Sequence, residues 1–215
     1  MRAVVLGAND GIVSTASLLL GVAAAGAERP AILIAGVAGL VAGAMSMAAG
    51  EYVSVSSQAD TEQSDISRER RELASAPEAE HAELAAIYES RGVDPDTARA
   101  VAEQMMAFDA LGAHARDELH ITELTTARPV LAALTSAATF TAGAALPLLL
   151  AALLPMALIV VGEVVGSILF LALLGAVGAI AGGTRPWKPV ARVVFWGALA
   201  MALTAGIGRL VGTSL

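Results

Sequence analysis

The 215-residue chain contains no cysteine, which excludes disulfides, thiolate metal ligands and thiol nucleophiles. Aromatic residues make up only 4% of it, and charged residues make up 15%, against about 25% in ordinary water-soluble domains. Hydrophobic residues account for 56%, and Ala, Gly, Leu and Val fill the apolar stretches. Small residues allow membrane helices to approach closely. The composition therefore predicts that lipid surrounds most of the chain.

Acidic residues are scarce outside one segment. Of the 20 Asp and Glu residues, 17 lie between residues 51 and 123, so the formal charge of -7 belongs mainly to that part of the chain. A segment this rich in carboxylates does not cross a bilayer, because ionisable groups are costly in hydrocarbon. We predict an aqueous insert there.

Five apolar stretches have close to the 20 or so residues that a membrane helix needs. They cover residues 3–26, 31–50, 129–153, 156–181 and 190–212. The first carries Asn9 and Asp10 in its middle, which a signal peptide would not, so we interpret it as a retained helix. The predicted fold class is an all-α integral membrane protein, with two spans in residues 1–50, an insert of residues 51–124 and three spans in residues 125–215.

Orientation follows from the positive charges in the loops. Eleven of the 13 Lys and Arg residues fall on the side of the N-terminus and the insert, and only Arg29 and Arg209 fall on the other side. The positive-inside rule places the richer side in the cytoplasm and the C-terminus on the opposite side. The alanine-rich composition favours a bacterial plasma membrane over a vacuole.

The insert is predicted to form three helices. The first continues out of the second span to about residue 73. Ser75 is expected to cap the second, with Pro77 in its first turn and Glu78 completing a capping box. That helix should end near Gly92, and Asp94 should start a third that runs towards residue 120.

Carboxylates recur at helical spacing in the insert. On the first insert helix they form one stripe, which comprises Glu62, Asp65, Glu69 and Glu72. Like charges so placed repel each other, and Arg68, Arg70 and Arg71 are expected to point to other faces. Glu80 and Glu83 lie one turn apart on the second helix, and the third carries Met105, Met106 and Asp109.

This pattern has two interpretations. One is a solvated acidic face with the methionines in the core of a helix bundle. The other is a metal site, for which oxygen and thioether ligands would suit Fe²⁺ or Mn²⁺ better than Mg²⁺. His81, His114 and His120 are as compatible with the surface as with ligation, although Glu78 and His81 have the Glu-x-x-His spacing of di-iron bundles.

Two carboxylates lie inside predicted spans, and an ionisable group there indicates a functional site by default. Asp10 is in the first span, and the second brings Met45, Met47 and Glu51 towards its cytoplasmic end. Methionine usually fills hydrophobic cores. The carboxylate of Asp10 in the first span nevertheless favours a role in cation binding for the methionines of the second span. Glu163 is the other carboxylate, and it is either a proton carrier facing the interior or a residue near the non-cytoplasmic interface.

Two segments, residues 7–15 (GANDGIVST) and 44–56 (AMSMAAGEYVSVS), resemble the vacuolar iron transporter family. The likeness extends over the whole chain, more loosely in the last three spans. It implies a five-helix homodimer that exports Fe²⁺, and often Mn²⁺, from the cytosol in exchange for protons. It also implies a transport path between the first spans of the two subunits and a cytoplasmic metal-binding insert. The partners are the bilayer, metal ions and protons, with no prosthetic group and no nucleic acid.

The resemblance assigns individual residues. The transport path has Asp10 and Met47, with Met45 and Glu51 beside them. The metal ligands of the insert are Glu69, Glu72, Glu80, Glu83, Met105, Met106 and Asp109. Asp109 departs from the family pattern, because it stands where a glutamate is usual and is one methylene shorter. Glu163 has no counterpart in the pattern.

Two alternatives come from other functional classes. A membrane-anchored di-iron ferroxidase or metal-storage protein would use Glu78, His81 and neighbouring carboxylates, but such centres draw on four helices and two full Glu-x-x-His motifs. A metal sensor tethered by the helices has no use for Asp10 inside the bilayer. We therefore predict a transporter and not an enzyme.

Overall fold

Every regular element of the computed structural model, which describes residues 2–122 and 127–213, is helical. The α-helices are α1 Arg2–Ala24, α2 Arg29–Ser75, α3 Pro77–Ser90, α4 Pro95–Asp117, α5 Pro129–Leu153, α6 Ile159–Ala181 and α7 Trp187–Gly212, with a 3-10 turn at Met156–Leu158. The all-α prediction is confirmed. Glu123, the last acidic residue of the predicted insert, lies outside the described residues.

Five of the helical segments are long and apolar enough to cross a membrane, as predicted. They are Val4–Ala24, Arg29–Ser75, Pro129–Leu153, Met156–Ala181 and Trp187–Gly212. Helix α2 has 47 residues, which is about 70 Å of helix, whereas the hydrocarbon layer is about 30 Å thick. Only its apolar first half, residues 30–49, has the composition of a membrane span, and the charged second half belongs to the insert.

The chain divides into two compact units. The membrane unit comprises Met1–Tyr52 and Val130–Leu215, and the insert unit comprises Val53–Pro129. The boundaries predicted for the insert from the sequence were residues 51 and 124, whereas the insert unit of the structure begins at Val53 and ends at Pro129. Helix α2 contributes residues to both units.

Helix α1 is central to the membrane unit, where it packs against α5, α6 and α7. A Cβ atom on Gly11 would lie 2.2 Å from the Phe140 carbonyl oxygen, and one on Gly143 would lie 2.2 Å from the Ala8 carbonyl oxygen. No side chain fits either gap, so glycine brings the backbones of α1 and α5 into direct contact. Gly182 does not join two helices in this way. It is the C-cap of α6, and a Cβ atom added to it would meet carbonyl oxygens of α6 itself.

Arg29 joins the start of α2 to the end of α5. Its guanidinium donates to the carbonyl oxygens of Ala152 at 2.7 Å and Ala151 at 3.4 Å, and also to that of Leu154. The last carbonyls of a helix lack partners within the helix, and a cation there also complements the helix dipole. Arg29 therefore fixes one end of the membrane unit.

The insert unit is built on α3 and α4, which pack Leu84 and Ala85 against Ala102 and Ala113. Asp94 caps α4, because its Oδ1 accepts a hydrogen bond from the Thr97 N–H at 3.1 Å. The Ser75 cap was wrongly predicted. Ala76 is the N-cap of α3 and offers no side-chain acceptor, while Ser75 ends α2 and donates to the carbonyl of Glu72. Pro77 alone gives α3 its start.

Candidate metal sites

A cavity of about 200 Å³ opens between α1, α2 and α5 in the membrane unit. Its lining is Asp10, Ser14, Thr15, Leu18, Gly39, Gly43, Ser46, Met47 and Phe140. A Cβ on Gly43 would lie 2.2 Å from the ring of Phe140. Glycine therefore lets this ring of α5 pack directly on α2, where it forms one wall of the cavity.

The donors at this cavity are a carboxylate, a thioether and three hydroxyls. Asp10 and Met47 come from different helices, as the sequence predicts for a shared path. The volume exceeds the roughly 30 Å³ that a water molecule occupies in the liquid, so there is space for a partly hydrated ion. Oxygen and sulfur together favour a borderline transition metal over Mg²⁺ or Ca²⁺.

Met45 and Glu51, the other two predicted path residues, are not among the residues that line this cavity. Met45 is 65% exposed and lines an apolar groove on another face of α2 with Ile34, Val37 and Val41. Glu51 is half-buried one turn after Met47. The structure thus brings together two of the four.

A second polar cluster lies within the insert unit, and we call it the insert cluster. It consists of Glu69 from α2, Glu80 from α3, His114 from α4 and Glu118 at the C-cap of α4, and their ligand atoms lie within 4.8 Å of one another. His114 Nδ1 lies 2.9 Å from Glu118 Oε2, 3.0 Å from Glu69 Oε1 and 3.8 Å from Glu80 Oε2. Three carboxylates thus surround one imidazole nitrogen, and His114 and Glu69 are almost completely buried.

Burial and mutual repulsion oppose ionisation in the insert cluster. Burial, followed by the nearby charge of Glu118, raises the pKa of Glu69 to about 7 against the pull of His114. Burial, followed by the charges of Glu118 and Glu80, raises the pKa of Glu83. Glu69 Oε1 and His114 Nε2 are buried without hydrogen-bond partners, since the 3.0 Å contact from Nδ1 to Oε1 lacks hydrogen-bond geometry. A divalent cation would offset this repulsion, and imidazole with carboxylate oxygens suits Mn²⁺, Fe²⁺ or Zn²⁺.

Glu72 and Glu83 form the rim of the insert cluster. The carboxylates of both residues repel those of the cluster, but Glu83 is exposed and Glu72 is half-buried. The guanidinium of Arg68 lies 3.3 Å from the carboxylate of Asp65 and 3.7 Å from that of Glu72, so the expectation that it points away from the acidic stripe was wrong for this arginine. The stripe is therefore partly neutralised, and Glu69 is its one member in the insert cluster.

The remaining predicted ligands lie elsewhere on α4. Met105 and Met106 pack against the apolar core around Leu84 and Ala85. Asp109 has non-helical backbone angles and interrupts α4, and its exposed carboxylate accepts the Gly112 N–H at 3.0 Å. The structure gives Asp109 the geometry of a helix cap for the second part of α4.

Sequence reasoning missed His114 and Glu118 as ligands. Their spacing of four residues puts them on one helix face, which is the available signal. The Glu-x-x-His spacing pointed instead to Glu78 and His81. In the structure Glu78 is exposed, and His81 Nε2 lies 3.2 Å from the Arg99 carbonyl oxygen. Among the residues that the structure describes, the insert cluster is the one group of three or more His, Asp or Glu close enough to share an ion.

Replacing Asp109 separates a capping role from a ligand role. Asparagine caps a helix as well as aspartate does, whereas alanine loses the acceptor and typically costs about 1 kcal/mol. If Asp109 is a cap, Asp109→Ala lowers the melting temperature while Asp109→Asn leaves both the melting temperature and Mn²⁺ affinity near wild type. A large loss of Mn²⁺ affinity in Asp109→Asn would instead make Asp109 a ligand.

The insert cluster should make stability depend on pH. A carboxyl whose pKa is about 7 in the folded protein, against 4.5 ordinarily, stabilises the fold below pH 4.5 and loses that contribution as pH rises through 7. Each unit of difference between the two pKa values corresponds to about 1.4 kcal/mol, so the free energy of unfolding falls by roughly 3 kcal/mol over this pH range. Between pH 5 and 8.5 without metal, the melting temperature of wild type should fall more than that of Glu69→Gln. Parallel curves for the two proteins would contradict this prediction.

Comparison with known proteins identifies similar chains. A family model described as the VIT family matches residues 1–209. The protein named Vacuolar iron transporter from Acanthamoeba castellanii is 48% identical over 214 residues, which cover 99% of this chain and 79% of that protein. Vacuolar iron transporter homolog 1 from Oryza sativa subsp. japonica is 39% identical over 99% of this chain and 74% of its own. Vacuolar iron transporter homolog 1 from Arabidopsis thaliana is 36% identical, with shares of 99% and 84%.

Proposed function

Because this chain belongs to the VIT family, a family of transporters and not enzymes, we propose that it carries Fe²⁺ across the membrane in which it is embedded. The proposal extends to export from the cytosol, to Mn²⁺ as a second cargo and to protons as the exchanged ion. Iron transport is what the printed names of the relatives support. Direction rests on the cytoplasmic side predicted for the insert, and manganese and proton exchange rest on the chemistry of the sites.

The observation that carries the proposal is the meeting of Asp10 and Met47 at one cavity within the membrane unit. A carboxylate in a membrane helix is costly, and a cation bound beside it offsets that cost. The thioether of Met47 adds a soft donor that Mg²⁺ and Ca²⁺ do not prefer. The cavity can therefore hold the cargo and discriminate against more abundant ions.

Proton exchange follows from the same carboxylate. A proton on Asp10 removes its charge and so weakens its attraction for a divalent cation. Metal and proton then occupy the residue alternately, which is the minimum that an antiporter requires. High proton concentration on one side releases metal there, and low proton concentration on the other side favours loading.

In this proposal the insert cluster binds the same cargo. Its three carboxylates more than neutralise a divalent cation, and together with the imidazole they supply four ligand atoms. A protein whose cargo is a metal ion needs no prosthetic group for this task. Glu72 and Glu83 on the rim add negative charge that raises the local cation concentration.

The proposed assembly is a homodimer in a bacterial plasma membrane, with the N-terminus and the insert in the cytoplasm and the C-terminus opposite. In the single subunit Asp10 and Ser14 are exposed on α1, although this helix is part of a membrane span. An exposed carboxylate facing lipid would be unfavourable, and a second subunit would cover it. Since the chain lacks cysteine, Ser14→Cys gives a single site for crosslinking in membranes. Dimer-sized products are expected.

The experiment that tests the function is uptake by liposomes that contain the purified full chain. Fe²⁺ under anaerobic conditions, Mn²⁺, Co²⁺, Zn²⁺ and Mg²⁺ are compared with and without a pH gradient. We expect Fe²⁺ and Mn²⁺ to enter, faster with the interior acidic, and Mg²⁺ to be excluded. Absence of metal uptake, or oxygen consumption on addition of Fe²⁺, would contradict the proposal.

A further inference from the structure

Glu163 is a buried carboxyl that the proposed path through Asp10 does not use. It lies in the second turn of α6, and its side chain is completely enclosed within the membrane unit. Neither of its oxygens has a hydrogen-bond partner. Ser167, one turn later on the same face, is also fully buried with an unpartnered hydroxyl.

No opposite charge compensates Glu163 within the described part of the membrane unit. Among the described side chains, the helices packed against α6 carry Asp10 on α1 and Lys188, Arg192 and Arg209 on α7. Arg29 lies at the end of α5, where it donates to the Ala151 carbonyl, and no ion pair joins any of these five residues to Glu163. Helix α5 has no ionisable residue. The backbone of Ala151 on α5 approaches the carboxyl within reach of a weak hydrogen bond, although neither oxygen makes a hydrogen bond of normal geometry.

Glu163 and Asp10 lie at different depths. Helices α1 and α6 run in opposite directions, with Val5 beside Gly178 near one end. Further along, Val164 and Ile168 pack against Ala16 and Leu20. This register places Glu163 near the level of Gly21, which is about 11 residues, or roughly 16 Å of helix, from Asp10.

Burial without partners decides the charge of Glu163. An ionised carboxylate removed from water, with no ion pair and no hydrogen bond of normal geometry, is far less favourable than the neutral acid. The neutral acid still leaves its O–H and carbonyl without partners, so an apolar side chain would serve packing better. The position therefore has the properties of a proton-binding group and not of a structural one.

We propose that Glu163 is a second proton-binding site of the membrane unit, which holds a proton in this conformation and releases it during exchange for metal. On release, the carboxyl O–H bond breaks, the proton passes to water that reaches the site, and a carboxylate remains. This inference rests on the proposed metal–proton exchange. It places one proton site at each of two depths, with Asp10 as the site shared with metal.

Buried hydroxyls lie between the two depths. Ser167 is one turn from Glu163 towards the level of Asp10, and the register of α1 and α6 puts Ser17 at a similar level. Both have buried hydroxyl oxygens without partners, and Thr15, also buried, lines the cavity of Asp10. Hydroxyls both donate and accept, so they can bond to water molecules that enter along this route.

The bound proton is tested directly by infrared spectroscopy of the full chain at pH 7.5. Wild type should show a deuterium-sensitive carbonyl stretch of a protonated carboxylic acid that is absent from Glu163→Gln. Asp10→Asn should retain it. If the spectra of wild type and Glu163→Gln do not differ in this band, Glu163 carries no proton and the inference is overturned.

Exchange is tested in liposomes with Mn²⁺ as cargo and a pH-sensitive dye inside. Glu163→Gln should still move Mn²⁺ down its own gradient, but proton flux linked to Mn²⁺ and the acceleration by a pH gradient should each fall at least 10-fold. Unchanged coupling in Glu163→Gln would make Glu163 a structural acid and overturn the inference.

A second variant guards against misfolding. Glu163→Met keeps the volume and removes the unpartnered oxygens, so it should fold at least as stably as wild type and lose the same coupling. If it keeps the coupling, the inference is overturned. Should wild type move no metal at all, the proposed function fails, while the infrared band still decides whether Glu163 holds a proton.

Discussion

Asp10→Asn is expected to lower Fe²⁺ and Mn²⁺ uptake into liposomes by about 100-fold or more. Even residues that only support a metal ligand typically contribute 10-fold to 100-fold to affinity, and Asp10 supplies the one carboxylate at the cavity. Asparagine keeps the size of the side chain and removes its charge. The residual flux should also be insensitive to a pH gradient, because the variant has no proton to exchange there.

A matched pair of methionines sharpens this prediction. Met47 lines the cavity, whereas Met45, two residues away on α2, faces the apolar groove. Met47→Leu should reduce uptake of Fe²⁺ and Mn²⁺ and weaken selectivity against Mg²⁺. Met45→Leu, a change of the same size and chemistry on the other face, should leave both unchanged. Glu28→Gln, in the exposed turn between α1 and α2, controls for loss of a carboxylate outside the cavity.

If Asp10→Asn transports metal as fast as wild type, with the same response to a pH gradient, the cavity is not the path. Equal effects of Met47→Leu and Met45→Leu would separately contradict the claim that position on α2 decides the role. These outcomes are independent, because one concerns charge and the other concerns the thioether.

His114→Ala is expected to lower the affinity of the insert unit for Mn²⁺ by about 10-fold to 100-fold. His114 supplies the sole nitrogen of the insert cluster, and its Nδ1 lies within 4 Å of all three carboxylates. Removing it also leaves Glu69, Glu80 and Glu118 facing one another across a cavity. Calorimetric titration of the full chain in detergent, with Asp10→Asn as background, reports the insert cluster alone.

Controls for this second prediction come from neighbouring residues. Glu80→Gln should resemble His114→Ala, because Glu80 is buried in the cluster. Glu89→Gln on the exposed face of α3 and His81→Gln on the same helix should bind Mn²⁺ like wild type. The rim residues Glu72 and Glu83 should have intermediate effects that salt reduces, since they act through solvent. A loss in Glu83→Gln as large as that in Glu80→Gln would mean that the rim ligates the ion.

Much of the fold was predictable because lipid imposes strict requirements. Backbone polar groups in a bilayer must bond within the segment, so apolar stretches of 20 or more residues become helices and little else. The first two membrane helices, α1 and α2, start within two residues of the predicted positions. The three helices of the insert followed from Pro77 and Asp94, whose chemistry suits helix starts.

The sites were predictable only where a residue type was unusual for its surroundings. Asp10 is conspicuous in an apolar helix, and this remains the reason to place it in the path. His114 gave no such signal, because a histidine in a charged insert is ordinary. It lies beyond the interruption of α4 at Asp109, which redirects the last turns of the helix. Spacing counted along an unbroken helix cannot reveal that change in direction. The packing of Met105 and Met106 against the core agrees with the first of the two interpretations of the sequence pattern, and their role as ligands stays a prediction.

The contact of Arg29 with the end of α5 has a consequence for the transport cycle. Guanidinium keeps its charge at every physiological pH, so its bonds to the carbonyls of Ala152 and Leu154 are indifferent to the proton gradient. The carboxyl of Asp10, at the other depth of the membrane unit, responds to that gradient, but this joint does not. Motion that follows protonation is therefore expected to pivot about the Arg29 end of α2 and α5. Distances measured between spin labels at this end should stay constant while those nearer Asp10 change.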